Sequence, residues 1–537
     1  MLFWIALLAL PARADDSLLK NRPATALVDE IIELKPADGD HFNLDAPQKC
    51  GGDAPVEVLA RRLRCQLRHP GKNEVLVTLC DDKLTFCRQE RFDLDVRGAE
   101  RAAISPLAAA PKGGRRAPDG FIDNDPAGAA ALAKKTGMPV LIDFYGIWCP
   151  PCNDLEERAY PDSRFRKAAE GWLKLGLDAD AEKSFPLKSR YKVGGYPTLI
   201  AVDSEMRELG RVVGYRSGPG LAKFLQEMRA DIGEPVETAA SLVARGGPDA
   251  TSARRLRVAQ WRADRGEFDA AEKLLKGVST PAARRALLEA RRERARREEN
   301  PAAALESLRE LIRNFPGDAE YADWVEALSE TDVEGARAFK NSLSASVARW
   351  IADPALGEFG EDPGDLLFDE AAVLDTIGEK DAAKAAYSRA ADAYGAQARR
   401  SPLKTPRAAN FGRADALMKA GRRAEAKALY ESLVKAYPAE FSFNYDYASA
   451  LSEDGDAAAA YPYAVAAARS GYGDNWLRAV RLKAEIELKL GRAADAAATV
   501  DEAIAATIPP KSPAVRTFRY LSALRELQFR IAAARKS

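Results

Sequence analysis

A chain of 537 residues has room for about three to five structural units, at roughly 100 to 200 residues each. Its 80 Lys+Arg balance 80 Asp+Glu, so no general attraction to nucleic acid or anionic membrane is indicated. With 47% hydrophobic and 30% charged residues, and no run near the ~18 uninterrupted apolar residues of a membrane helix, a polytopic membrane protein is excluded. Two histidines, His41 and His69, leave little room for a His-based zinc, haem or triad site. No metal is expected, and the chemistry falls to six cysteines.

The chain begins MLFWIALLAL, then Pro11 and the small-x-small run Ala12-Arg13-Ala14. This predicts a signal peptide over 1–14, cut after Ala14, although the positive n-region is missing apart from the terminal amine. Export to a periplasmic or comparable envelope compartment suits an even cysteine count. Residues 15–97 hold four cysteines and two period-2 patterns, Val75, Val77, Leu79 and Phe92, Leu94, Val96, which predict half-buried strands of a small β domain. Residues 98–120, rich in Ala, Pro, Gly and Arg, read as a linker. Over 121–232 helix and strand alternate. Strands are expected at Pro139 to Tyr145, Leu173 to Leu177, Thr198 to Val202 and Leu209 to Gly214, with a closing helix from Pro219 to Ala230; this is an α/β domain with one central sheet.

From 238 to 537 the pattern is helical throughout. Gly266, Gly378, Gly421, Gly455 and Gly491 are each followed five residues later by alanine (Ala271, Ala383, Ala426, Ala460, Ala496). Nine residues after each glycine stand Leu275, Tyr387, Tyr430, Ala464 and Val500. The last four glycines are spaced 43, 34 and 36 apart, and Pro438 follows Gly421 by 17. This resembles tetratricopeptide repeats, whose period is about 34 residues, over about 250 to 535 and degenerately before 370. Such units bury a core only when stacked. The run Arg284 to Glu299 interleaves acids with its arginines and reads as a solvated helix face rather than a nucleic-acid arm.

Cys149-Pro150-Pro151-Cys152 follows the apolar strand and opens a helix. A zinc site would want a second cysteine pair downstream, and none follows Cys152; a redox site needs the strand-turn-helix context that is present. The stretch PVLIDFYGIWCPPCNDLEERAYPDSRF, followed by VGGYPTLIAVD, resembles the thioredoxin fold, and in particular the C-terminal periplasmic domain of DsbD-type thiol:disulfide interchange proteins. The resemblance makes Cys149 the attacking nucleophile and Cys152 the resolving cysteine. It makes Asp143 the buried acid that handles the resolving thiol's proton, and Glu156 a second acid. Pro197 takes the cis-proline position, with Tyr196 and Thr198 beside it and Trp148 opposite as the substrate-facing lip. Lys174 is placed near the buried Asp143.

Cys80 and Cys87 flank six residues between the two strand patterns. They resemble the cysteine pair of the immunoglobulin-like N-terminal domain of DsbD-type proteins. The spacing is one residue longer, and Arg88-Gln89-Glu90 replaces that family's Tyr-Pro-Pro, so the pair stays open between a second exchange site and a structural hairpin disulfide. Cys50 and Cys65 read as a structural staple.

The expectation is therefore an exported thiol:disulfide oxidoreductase with no cofactor beyond its redox-active disulfide. Reduction is favoured over oxidation, because no histidine lies between Cys149 and Cys152 and neither proline offers an amide. Partners would be cysteine-bearing exported proteins, a separate upstream thiol donor, and a protein or peptide docking on the repeats, with no nucleic acid and no integral membrane segment. The alternative is an envelope scaffold in which the thioredoxin-like domain only binds.

Overall fold

A computed structural model of the chain describes residues 18–535, apart from 29, 45, 47, 52–55, 82–86, 98–117, 119, 299, 319, 354–361 and 509–515. The expected signal peptide and most of the expected linker lie outside the described residues. The chain divides into two compact units, one formed by residues 1–111 with 448–537 and the other by 112–447.

The first unit starts with short strands: β1 (Thr25–Leu27), β2 (Ile31–Leu34), β3 (Asp40–Phe42), β4 (Lys49–Cys50), β5 (Val56–Leu59) and β6 (Arg62–Gln66). Two long ones follow, β7 (Gly71–Asp81) and β8 (Cys87–Arg97). One sheet runs β1-β8-β7-β3 with β4 also on β7, and the other runs β2-β6-β5. The alternating residues Val75, Val77, Leu79, Phe92, Leu94 and Val96 all point into one core, which they share with Ile32, Leu34 and Leu63 of the second sheet. Period-2 alternation is the signature of a sheet with one buried face. Of the six shorter strands, β2 and β6 also alternate in burial.

In the second unit the sheet order is β13-β12-β10-β11-β9, from β9 (Ile122–Asp123), β10 (Val140–Tyr145), β11 (Leu173–Asp178), β12 (Thr198–Val202) and β13 (Glu208–Val213). Central β10 runs parallel to β11 and antiparallel to β12. Helices α1 (Pro126–Thr136), α2 (Pro150–Asp154), α3 (Ser163–Ala168), α4 (Phe185–Arg190) and α5 (Gly218–Ala230) surround it, and a π-helical turn, Leu155–Ala159, continues α2. Every residue of β10 is buried, as a strand covered on both faces must be. Val140, Ile142 and Phe144 pack with Ala129 and Ala133 of α1. Leu141 faces the other way, with Leu155, Tyr160, Leu221 and Leu225, and Asp143 shares that face by alternation.

Among the described residues, all remaining elements are helices: α6 (Val236–Arg245), α7 (Ser252–Asp264), α8 (Phe268–Leu275), α9 (Pro281–Arg297), α10 (Pro301–Asn314), α11 (Tyr321–Ser329), α12 (Val333–Ala338) and α13 (Lys340–Ala352). There follow α14 (Pro363–Thr376), α15 (Lys380–Arg400), α16 (Arg407–Lys419), α17 (Arg423–Ala436) and α18 (Phe441–Glu453). The unit division falls inside α18, and the first unit resumes with α19 (Ala457–Ser470), α20 (Asp474–Lys489), α21 (Ala493–Ala506) and α22 (Arg516–Ala534).

The repeat frame coincides with these helices. Gly266, Gly378, Gly421, Gly455 and Gly491 each lie between two helices with φ from 73° to 88°, a left-handed position where glycine costs least. Ala271, Ala383, Ala426, Ala460 and Ala496 are all buried, as are Leu275, Tyr387, Tyr430, Ala464 and Val500. On α9 the arginines are paired between helices rather than simply solvated. Arg291 and Arg294 reach Glu272 of α8, and Arg285 reaches Asp318 and Glu320.

The first unit closes on its own chain ends. Arg525 of α22 grips Glu30 at 2.6 and 3.1 Å, with both side chains buried, and donates to Thr25 at 3.0 Å. No helix among the described residues is long and apolar enough to cross a membrane.

Candidate active site

The run Gly146-Ile147-Trp148 turns the chain from β10 into α2. Cys149 stands just ahead of the helix with extended backbone, φ −102° and ψ 103°. Pro150 and Pro151 fill the first two helical positions, where their fixed φ suits a helix start and no amide is missed. The turn is held by the Cys149 amide on the Gly146 carbonyl and the Cys152 amide on the Cys149 carbonyl, each 3.2 Å. Cys149 and Cys152 are joined as a disulfide with Cα atoms 5.3 Å apart. They are 1% and 3% exposed.

Trp148 and Tyr196 pack against this pair together with Tyr145. Their rings meet edge-on, 5.6 Å between centroids, and the indole Nε1 donates to Asp180 Oδ2 at 2.8 Å. Tyr196-Pro197 is a cis peptide, and the Thr198 hydroxyl donates to the Gly195 carbonyl at 2.8 Å. Trp148 and Tyr196 touch the dithiol cluster, and Pro197 and Thr198 follow Tyr196 in the same turn.

Asp143 sits in the middle of β10, 3% exposed, and accepts a 2.7 Å hydrogen bond from the Tyr160 hydroxyl. A buried carboxylate is costly unless hydrogen-bonded, and Tyr160 meets part of that cost. The Tyr160 ring lies against Phe121 and Phe165 at 5.0 and 5.2 Å. Lys174 pairs in register with Leu141, whereas Gly176 stands beside Asp143. The Lys174 ammonium lies over the Phe121 ring at 5.3 Å, so it is linked to the acid through Phe121 and Tyr160.

Glu156, in the π-helical turn, pairs with Arg407 Nη2 at 2.8 Å. Its neighbour Glu157 accepts from the Arg407 side chain at 2.9 Å and from the amides of Arg407 and Ala408 at 3.0 and 3.1 Å. Nearer the dithiol, burial pushes Asp154 up to about 7, although Arg158 at 2.9 Å opposes the shift. Asp365 is pushed up to about 6 by burial, against a 2.6 Å hydrogen bond from Tyr394.

The other cysteines lie in the other unit. Cys80 and Cys87 are direct cross-strand partners on β7 and β8 and are disulfide-bonded, Cα atoms 4.0 Å apart. Cys80 is buried and Cys87 exposed, and His41 of β3 pairs in register with Cys80. His69 precedes β7 and its carbonyl accepts from Asn73. Cys50 and Cys65 form a disulfide that ties β4 of one sheet to β6 of the other.

Tyr160, Asp180, Glu157 and Arg407 were not legible in the sequence as members of this site. Tyr160 carried the best signal: an aromatic hydroxyl eight residues after Cys152, inside the stretch that carries the resemblance.

A family model described as a thioredoxin-like domain matches residues 127–229. This segment is a thioredoxin-like domain. Over 99 residues the chain is 33% identical to the thiol:disulfide interchange protein DsbD of Cronobacter sakazakii, covering 18% of this chain and 17% of that protein. Over 112 residues it is 30% identical to the DsbD of Yersinia pestis, covering 20% and 18%. The chain therefore spans less than a fifth of the length of these curated relatives. Among solved structures, a DsbH oxidoreductase aligns with 23% of this chain and 88% of its own, at 21% identity and TM-score 0.18. A tetratricopeptide repeat protein from Parabacteroides merdae aligns with 51% of this chain and 98% of its own, at 15% identity and TM-score 0.34.

Proposed function

We propose that the protein is an exported thiol:disulfide oxidoreductase that reduces disulfides in envelope proteins, with the helical array as a docking surface. The observation that carries this reading is the dithiol itself, set at the end of a fully buried strand beside Trp148 and Tyr196, with the buried Asp143–Tyr160 pair in the same strand-helix unit. The Cys149 thiolate attacks a client disulfide, forming a mixed disulfide and releasing one client thiolate, which takes up a proton. Cys152, deprotonated toward Asp143, then attacks Cys149, releasing the second client thiol and closing the Cys149–Cys152 bond. Two electrons and two protons pass to the client. A separate thiol donor restores the dithiol.

One observation favours the scaffold alternative: the dithiol is buried, whereas reactive cysteines are ordinarily partly exposed. The reduction potential of the full chain against glutathione, with trapping by Cys152→Ser, separates the readings. A value near about −270 mV with trapped cysteine-bearing exported proteins is the expected result, and one near about −120 mV reverses the direction to oxidation. Absence of both mixed disulfides and insulin reduction leaves the scaffold.

A further inference from the structure

The turn and helix that carry the dithiol meet the helical array within the second unit, through buried and half-buried polar contacts. Active-site helix α2 packs against α16. Ser442, the second residue of α18 and buried, donates to the Ile147 carbonyl at 3.2 Å, two residues before Cys149. Helix α16 has no side-chain cap of its own, because Pro406 stands at the capping position. Glu157 caps it from the thioredoxin-like domain by accepting the first two helical amides. The Arg407 guanidinium is then shared among Glu157, Glu156 and, at 3.9 Å, Glu440. Arg407 and Glu157 side chains are 11% and 4% exposed.

An attacking thiolate must be reached in line by the partner sulfur, and Cys149 at 1% exposure offers no such path. We infer that the edge of the array formed by α16 and α18 is the dithiol's own blocking partner: it holds a closed state, and exchange with a protein client begins only when this edge lifts from the turn at 147–152. The inference rests on the exchange reading above. A buried charge left without its partner is strongly unfavourable, so Arg407, Glu156 and Glu157 separate together and the edge behaves as a two-state latch. Reactivity toward any client is then the intrinsic reactivity multiplied by the open fraction.

The test uses the full chain, mildly reduced, and follows alkylation of the Cys149 peptide by mass spectrometry with iodoacetamide and with a bulky polyethylene-glycol maleimide. Wild type is expected to react slowly, and more slowly with the larger reagent. Arg407→Ala accelerates both by about tenfold or more, and Ser442→Ala does so by less. Equal rates in wild type and both variants, or wild-type rates matching the denatured chain, overturn the inference. Should Arg407→Ala fail to fold, Ser442→Ala and hydrogen exchange of the wild type decide. The Ala408 amide, bonded to Glu157, must show the same opening equilibrium as Cys149 alkylation, and Cys149 reacting while Ala408 stays closed refutes the latch. Insulin reduction separates this result from the parent reading. A variant that exposes Cys149 without reducing insulin keeps the latch and sinks the exchange function. A wild type that reduces insulin as fast as Arg407→Ala keeps the function and sinks the latch.

Discussion

Two disulfides of short span invite comparison. Cys80–Cys87 joins directly opposed residues of two antiparallel strands, with Cys87 exposed. Cys149–Cys152 closes a turn between a buried strand and a helix, with both cysteines buried. Solvent access alone would select the first pair. What marks the second pair is the equipment around it: a carboxyl held inside the preceding strand, a tyrosine that holds that carboxyl, and three aromatic residues packed with the cysteines. Among the described groups near Cys80, the cross-strand neighbour is His41 on β3. One bond thus crosses a hairpin, and the other stands at a strand-to-helix turn beside a buried acid.

Removing each pair in turn has the largest expected effects. Cys149→Ser is expected to lower insulin reduction by about a thousandfold or more, as loss of a covalent nucleophile does. The double variant Cys80→Ser with Cys87→Ser is expected to keep its rate within about twofold and to lose about 2 kcal/mol of unfolding free energy from its seven-residue span. A large activity loss in the double variant would make the hairpin pair a second exchange site.

A smaller effect tests the equipment rather than the sulfurs. Asp143→Asn keeps a group able to hydrogen-bond Tyr160 but removes the proton acceptor. It should slow release of the mixed disulfide by roughly a hundredfold, read as a longer-lived trapped complex, with the first attack by Cys149 little changed. If both steps slow alike, Asp143 acts on the fold of β10 and not on Cys152.

How much of this was legible follows from how local each feature is. The run VLIDFY with its cysteines, and the glycine-alanine frame of the helices, are short-range patterns, and the structure shows strand, turn and helix pairs where they predict them. The extra strands of the β region are two to five residues long, and only Arg62–Gln66 among them alternates cleanly in sequence and burial. The contacts that complete the site and the first unit are distant in sequence: Arg407 to Glu157 across 250 residues and Arg525 to Glu30 across 495. Nothing in local periodicity records a partner that far away. Trp148 to Asp180 fails for the same reason at shorter range, across α2, α3 and β11.

A further test concerns Asp154, two residues after Cys152. Its ordinary value near 3.8 is pushed up to about 7 by burial, so the fold binds its proton more tightly than the unfolded chain does. The stabilisation linked to that proton is fully present below about pH 4 and disappears as pH rises through about 7; Asp365, raised to about 6, adds in the same sense. Wild-type thermal stability should therefore fall between pH 5 and 8. Asp154→Asn should flatten that fall by on the order of 1 to 3 kcal/mol, even though it also weakens the contact to Arg158, because losing that contact shifts the curve while losing the titration changes its slope. An unchanged slope in Asp154→Asn would mean that Arg158 at 2.9 Å outweighs burial and keeps Asp154 ionised beside the dithiol across this range.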